Sequence, residues 1–210
     1  MIINIAHQKG GVGKSTLAIN LGIEMKADIL DLDNQNSVLL FNKMRERNGY
    51  KPLSCFTLND ESELKNVFSK YKGLDKTLIV DSGGYDSTLN RLAMLLADYI
   101  ITPVSPSQIE LFGLQKFENV LREASKTFET DVKTNVVINN ADVRSKSDIL
   151  NLKSFVKNND QYLTLMNTII YSRKDYKRAY LEGLSVVELE KHSKAAIEIQ
   201  NLVKEIKKAI

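Results

Sequence analysis

The chain has one cysteine, Cys55, no tryptophan, three prolines and two histidines, His7 and His192, in 210 residues. A single thiol excludes an intrachain disulfide, which fits a reducing compartment. It also excludes an iron–sulfur site that draws two cysteines from each subunit. The two histidines lie too far apart in sequence to suggest a Cys/His metal centre. No apolar run approaches the roughly 20 residues that a spanning helix needs. Residues 1–5 lack the basic start and the length of a secretory leader. A cytoplasmic protein with no membrane partner is expected. Proline, glycine and serine nowhere concentrate into a linker, and no internal repeat or low-complexity tract is present. One domain over residues 1–210, large enough for a full core, follows from these absences.

What the chain does have is alternation. Apolar runs at 2–6, 28–32, 77–81, 99–104, 134–138 and 168–170 read as strands, with helical stretches between them. This order predicts an α/β fold with a doubly wound, mostly parallel sheet flanked by helices, and ligands at the carboxyl ends of the strands. Directly after the first run comes Lys9-Gly10-Gly11-Val12-Gly13-Lys14-Ser15-Thr16. A glycine-rich turn between strand and helix points successive backbone N–H groups at an anion, and the helix dipole adds to the attraction. Lys14 is placed to reach the β- and γ-phosphates, and Ser15 to offer its hydroxyl to Mg²⁺; Thr16 follows one residue into the helix. A Mg-nucleotide site in a P-loop fold is expected.

The ordinary loop, G-x-x-x-x-G-K-[ST], would have glycine where this chain has Gln8. The extra lysine at position 9 instead gives K-G-G-x-G-K-[ST], and with it the chain resembles the deviant Walker A ATPases of the ParA/MinD family. Ile29-Leu30-Asp31-Leu32-Asp33-Asn34-Gln35 resembles the family's D-x-D-x-Q segment, although proline is common where Asn34 stands. Strand alternation would put Asp31 and Asp33 on one side. By that resemblance Asp33 positions the attacking water; without it, two aspartates ending a strand would also suit a turn or a cap. The run 77–81 closes on Asp81, a Walker-B-like carboxylate expected to hold magnesium through water. Ser82-Gly83-Gly84-Tyr85-Asp86-Ser87 resembles a switch segment able to sense the γ-phosphate, or is simple loop punctuation. Asn139, ending the run 134–138, matches the asparagine that meets adenine, and no guanine-specific Asn-Lys-x-Asp follows; Asn139 and Asn140 also suit an ordinary turn. Residues 168–173 with Ala179 and Gly183 to Glu188 resemble the family's last block, so the likeness spans about residues 1–190. His7 is read as a loop-packing residue.

Charge is nearly balanced, at +3, but residues 171–210 hold nine Lys/Arg against six Asp/Glu, and residues 1–170 hold twenty of each. Arg173, Lys174, Lys177 and Arg178 cluster, and Lys204, Lys207 and Lys208 lie in the last helix. Such residues suit non-specific, salt-sensitive phosphate contacts with DNA, or a solvated helix face. The resemblance implies a homodimer when ATP is bound, with Lys9 acting on the partner's nucleotide while Lys14 acts on its own. It implies slow ATP hydrolysis stimulated by a ParB-type centromere-binding partner, nucleoid association in the ATP state, and segregation of plasmid or chromosomal DNA. Nothing precedes Ile2 that could form a helix-turn-helix domain, so operator-specific reading is not expected. Three alternatives share the motifs: a MinD-like positioning ATPase with a C-terminal amphipathic helix, a conjugative-transfer ATPase, and a metabolic ATP-dependent ligase.

Overall fold

The computed structural model describes residues 1–85 and 87–210. Along the chain run β1 (Ile2–Ile5), α1 (Lys14–Met25), β2 (Asp28–Asp31), α2 (Ser37–Arg47), β3 (Cys55–Phe56), α3 (Glu61–Lys72), β4 (Leu78–Asp81) and α4 (Thr88–Leu96). There follow β5 (Tyr99–Val104), α5 (Gln108–Phe128), β6 (Thr134–Ala141), α6 (Lys146–Asn158), β7 (Leu163–Tyr171), α7 (Lys174–Glu182), α8 (Val186–Leu189) and α9 (Lys194–Ala209). Among the described residues the strands form one seven-stranded sheet in the order β3-β2-β4-β1-β5-β6-β7, and every pairing is parallel. The expected doubly wound α/β architecture is present, wholly rather than mostly parallel.

The apolar strand runs are buried on both faces, as parallel sheets require. Ile3, Ile5, Ile29 and Ile79 face α1 and α9, where Leu17, Ile199, Leu202 and Ile206 close over them. Their neighbours Ile2, Leu30, Leu78 and Val80 face the other way, against Leu64 and Phe68 of α3. β1 is central, between β4 and β5, so the loop that leaves its carboxyl end opens where the chain turns to both sides of the sheet.

Three strands differ from expectation by more than one residue. β3 has only two residues, too few for any periodicity, and exists because Ile29 and Leu30 of β2 offer it a partner. β6 runs three residues past 138 through an irregular register. β7 begins at Leu163, five residues early, where its polar residues mask the strand: the Asn167 and Thr168 N–H groups are taken by the Glu205 carboxylate at 2.6 and 2.9 Å, which covers this sheet edge from α9.

The last block is pinned to α2 by Arg45, which is only 6% exposed. Its guanidinium donates to both Glu188 oxygens, at 2.8 and 3.1 Å, and to the Gly183 carbonyl at 2.8 Å. Gly183 takes the left-handed conformation (φ 69°), and a Cβ there would lie 2.8 Å from the Arg45 backbone. Gly49 has a similar φ of 79° with open space around it. Gly183→Ala is therefore expected to lower unfolding free energy by about 3 kcal/mol or more, and Gly49→Ala by only about 1 kcal/mol. Urea unfolding of the two variants checks this, and equal losses would contradict it.

Candidate functional site

Helices α3, α4, α5 and α9 are each capped by a side chain at their start: Asp60, Ser87, Ser107 and Ser193 accept from the first-turn N–H groups. α1 starts differently. Its cap residue, Gly13, has no side chain to offer and sits in the left-handed region at φ 95°. The open N–H groups of this first turn are those an anion would take. Lys14 is buried, and its ammonium arches back across the turn to donate to the Lys9 carbonyl at 3.0 Å. Burial lowers its pKa, with Asp81 and Asp33 opposing that shift. A cavity of about 480 Å³ lies over Gly10, Lys14, Ser15 and Thr16, with Asp33 and Tyr180 on its far wall.

Asp81 ends β4 fully buried, and among the described residues neither of its oxygens has a hydrogen-bond partner. Burial pushes its carboxyl up to about 7; Ser15 pulls it down, Asp31 pushes it up, and Lys14 and Asp33 act more weakly in opposite directions. A buried carboxylate beside a hydroxyl and an ammonium is a set of groups whose chemistry would fit a hydrated magnesium ion. The two aspartates of β2 take different parts. The strand stops at Asp31, so alternation does not reach Asp33. Asp31 is buried and accepts from the N–H groups of Asp33 at 3.1 Å and Val38 at 3.1 Å, serving as the cap that Asn36 does not supply to α2. Asp33 turns out into the phosphate cavity and accepts from the Gln35 N–H at 3.0 Å.

A second cavity of about 290 Å³ shares Gly11, Gly13 and Thr16 with the first and continues between Asn139 and the start of α7. The Asn139 amide donates to the Val12 carbonyl at 2.7 Å, and a Cβ on Gly13 would collide with that same amide. The amide N–H2 thus braces the loop, leaving the carbonyl oxygen of the side chain as the group free to face a base. Ile170, Tyr171, Tyr176 and Arg173 form the remaining wall.

The rim of the loop rests on α5. Lys9 reaches Glu110 at 2.5 Å, a pairing with no local signal because the two residues are 101 positions apart. His7 is buried, stacks on Phe117 with ring centroids 5.3 Å apart, and accepts from the Lys9 N–H at 2.9 Å. This is the loop-packing role expected of it. Gly84 of the predicted switch segment sits against Gly10, where a Cβ would lie 3.1 Å from the Gly10 nitrogen. Asp86 of that segment lies outside the described residues.

The basic residues do not form one surface. Arg173 is bound to Glu198 at 2.5 Å, lies over the Tyr171 ring and lines the second cavity. Lys174 and Lys177 of α7 are exposed, as is Arg178, which pairs with Glu182 at 3.1 Å. Lys204, Lys207 and Lys208 are exposed on α9. Since Glu198 marks the point where α9 meets the start of α7, Lys207 stands about 14 Å further along that helix. Arg173 and Lys177 both line the second cavity, and Lys204, Lys207 and Lys208 lie apart from them on α9.

His7 supplies a pH test. Burial, with Lys14 and Lys9 nearby, lowers its pKa from 6.5 to about 3. The folded state therefore binds fewer protons than the unfolded state between those values. Its contribution to stability is complete above pH 6.5 and declines as pH falls below it, by about 2 kcal/mol at pH 5. His7→Asn keeps an acceptor for the Lys9 N–H and is expected to remove that decline in unfolding experiments at pH 7 and pH 5.

Known proteins are similar to this chain along most of its length. The "Maintenance of carboxysome distribution protein A" of Halothiobacillus neapolitanus is 22% identical over 207 residues, covering 96% of this chain and 94% of that protein. Among solved structures, apo McdA from Cyanthece superposes with a TM-score of 0.72 at 17% identity, covering 98% of both chains. The septum site-determining protein MinD of Pyrococcus horikoshii OT3, complexed with Mg-ADP, superposes with a TM-score of 0.70 at 21% identity, covering 99% of this chain and 96% of that one. A family model described as the CobQ/CobB/MinD/ParA nucleotide binding domain matches residues 3–186, over the loop, both carboxylate strands and Asn139. The chain belongs to that family, the ParA/MinD group of P-loop ATPases.

Proposed function

We propose that this chain is an ATP-driven partition ATPase of the ParA type, whose ATP-bound dimer holds DNA non-specifically and is released by hydrolysis. The observation that carries the reading is the opposed geometry of its two loop lysines. Lys14 is buried and turned into its own loop, where it would serve the phosphates of a nucleotide bound there. Lys9 stands at the rim with its side chain 34% exposed, directed away from that loop toward α5. From the rim it is placed to serve the nucleotide of a second copy, where a cation offsets charge developing on the transferring phosphoryl group.

Ser15 and Asp81 would hold Mg²⁺. Among the described residues no cluster of three or more His, Cys, Asp or Glu exists that could hold a metal alone, and nucleotide phosphates would offer oxygens of the kind this ion takes. Magnesium supplies charge neutralisation at the β- and γ-phosphates. Asp33 orients the attacking water from the far wall, and the Asn139 carbonyl oxygen faces the adenine amino group.

A route leads from the phosphates to the cationic surface. The turn after Asp33 enters α2, and α2 is joined to α7 by Arg45 and by the Tyr180 hydroxyl, which donates to the Ser37 carbonyl at 3.3 Å. α7 carries Lys174, Lys177 and Arg178, so a shift of the Asp33 turn moves the cations that would meet DNA phosphates. A ParB-type partner at a centromere-like site would stimulate hydrolysis. A second cargo is favoured by one observation: the likeness to a carboxysome distribution protein spans nearly that whole protein. A carboxysome-like body would then take the place of the replicon. The MinD-like membrane reading has less to draw on, because Ile199, Leu202, Val203 and Ile206 of α9 are buried on the domain and only Ile197 and Ile210 of that face are exposed.

Two outcomes are expected. Asp81→Asn removes a charge that burial disfavours and that Ser15 and Lys14 offset only in part, so unfolding free energy stays within about 1 kcal/mol of the parent while magnesium-dependent ATP binding weakens at least ~10-fold, as titration calorimetry would show. Binding to a random duplex is expected with a non-hydrolysable ATP analogue and not with ADP, to fall steeply with salt, and to vanish in Lys14→Ala. No DNA binding in any nucleotide state, with dimerisation intact, would overturn the partition reading for either cargo.

A further inference from the structure

Lys9 does not wait free at the rim. The start of α5 cradles it: the Glu110 carboxylate takes its ammonium at 2.5 Å, and the lysine stem packs along the helix beside Gly113, one turn on, where a Cβ would be in ordinary contact with Lys9 Cδ at 3.5 Å. Glu110 itself is held in place. Its side chain is only 17% exposed, and its second oxygen is buried with no partner among the described residues. A carboxylate so placed, with one oxygen satisfied and the other not, gains strongly from the ammonium it has and cannot exchange it for water at low cost. The flanking Ile109 and Phe112 are 71% and 56% exposed, so the lysine is stored at the edge of an apolar, open surface.

We infer that Glu110 is the positioning residue that stores Lys9 in the free protomer and sets how readily two ATP-bound copies assemble. The inference rests on the reading that Lys9 serves the partner's nucleotide. Lys9 cannot hold Glu110 and a partner's phosphate together, so assembly requires that the ion pair break. The apparent dissociation constant of the dimer is then the intrinsic value divided by the fraction of protomers with Lys9 free. Glu110 acts as a threshold against premature assembly, and its position 101 residues from Lys9 ties that threshold to the first turn of α5.

The test is sedimentation velocity over a range of protein concentrations, with the non-hydrolysable ATP analogue and with ADP, on the parent chain, Lys9→Ala, Glu110→Gln, Glu110→Asp and the Lys9→Ala/Glu110→Gln double variant. Glu110→Gln keeps the shape and removes the charge, and is expected to bring the analogue-driven dimer to about five-fold lower protein concentration, the upper end of what a partly exposed ion pair is worth. Glu110→Asp keeps the charge on a shorter arm and shifts it less. In the double variant Glu110→Gln adds nothing to the loss caused by Lys9→Ala, and with ADP no variant shifts. A merely structural role for Glu110 would shift both nucleotide states and persist without Lys9, which would overturn the inference. So would a Glu110→Gln dimer no tighter than the parent's while Lys9→Ala still weakens assembly; the Lys9 reading then stands. If Lys9→Ala assembles and hydrolyses ATP like the parent, the Lys9 reading fails and this inference with it.

Discussion

Everything in the site hangs on one small contact, the Asn139 amide lodged beneath Gly13. Gly13 must be bare and left-handed for the chain to leave β1 and enter α1 without a capping side chain. The Asn139 amide fills the space a side chain would occupy and fastens the loop to the end of β6 through the Val12 carbonyl. The first-turn N–H groups are thereby fixed in direction before any anion arrives, which is preorganisation in the electrostatic sense. The opposite rim is held as closely, by His7 against Phe117 and Gly84 against Gly10. Between these braces the loop has little freedom, and its two lysines can be aimed in different directions.

The same arrangement is electrostatically costly. Lys14, Asp31 and Asp81 are all buried around the loop, and both oxygens of Asp81 lack a described partner. Ordinary cores avoid uncompensated buried charge because desolvation exceeds what scattered neighbours return. A magnesium nucleotide would supply such partners, so binding and stability would be coupled: a ligand that takes only the folded state stabilises it. The stiff framework elsewhere offsets the cost, through a sheet buried on both faces, the Arg45 clamp between α2 and the last block, and the Glu205 carboxylate covering the β7 edge.

How much of this is legible in the sequence depends on how local each feature is. The loop, the strand ending in Asp81 and the runs at 2–6 and 99–104 declare themselves because strand, turn and helix signals lie within a few residues of one another. β3 does not, since two residues carry no pattern and its existence depends on β2. The start of β7 is hidden by polar residues that only an edge strand tolerates. The Asp31 cap on α2, the Arg45 clamp and the Lys9–Glu110 pair join residues 7, 143 and 101 positions apart, and only the first could have been suspected from spacing. Arg173 shows the converse: a cation that charge counting groups with its neighbours is drawn by Glu198 into the wall of the second cavity.

The central claim is that each site is completed by the lysine of another copy, and subunit mixing tests it most directly. Lys9→Ala lacks the rim lysine and Asp33→Ala lacks the group that orients water, so each alone is expected to hydrolyse ATP poorly. In a mixed dimer, the Lys9→Ala protomer keeps its own Asp33 and receives Lys9 from its Asp33→Ala partner, which restores one complete site. Recovery of ATP hydrolysis on mixing the two inactive proteins is the predicted result. Activity that stays at the level of the separate variants, with mixed dimers present, would contradict it and return Lys9 to its own nucleotide.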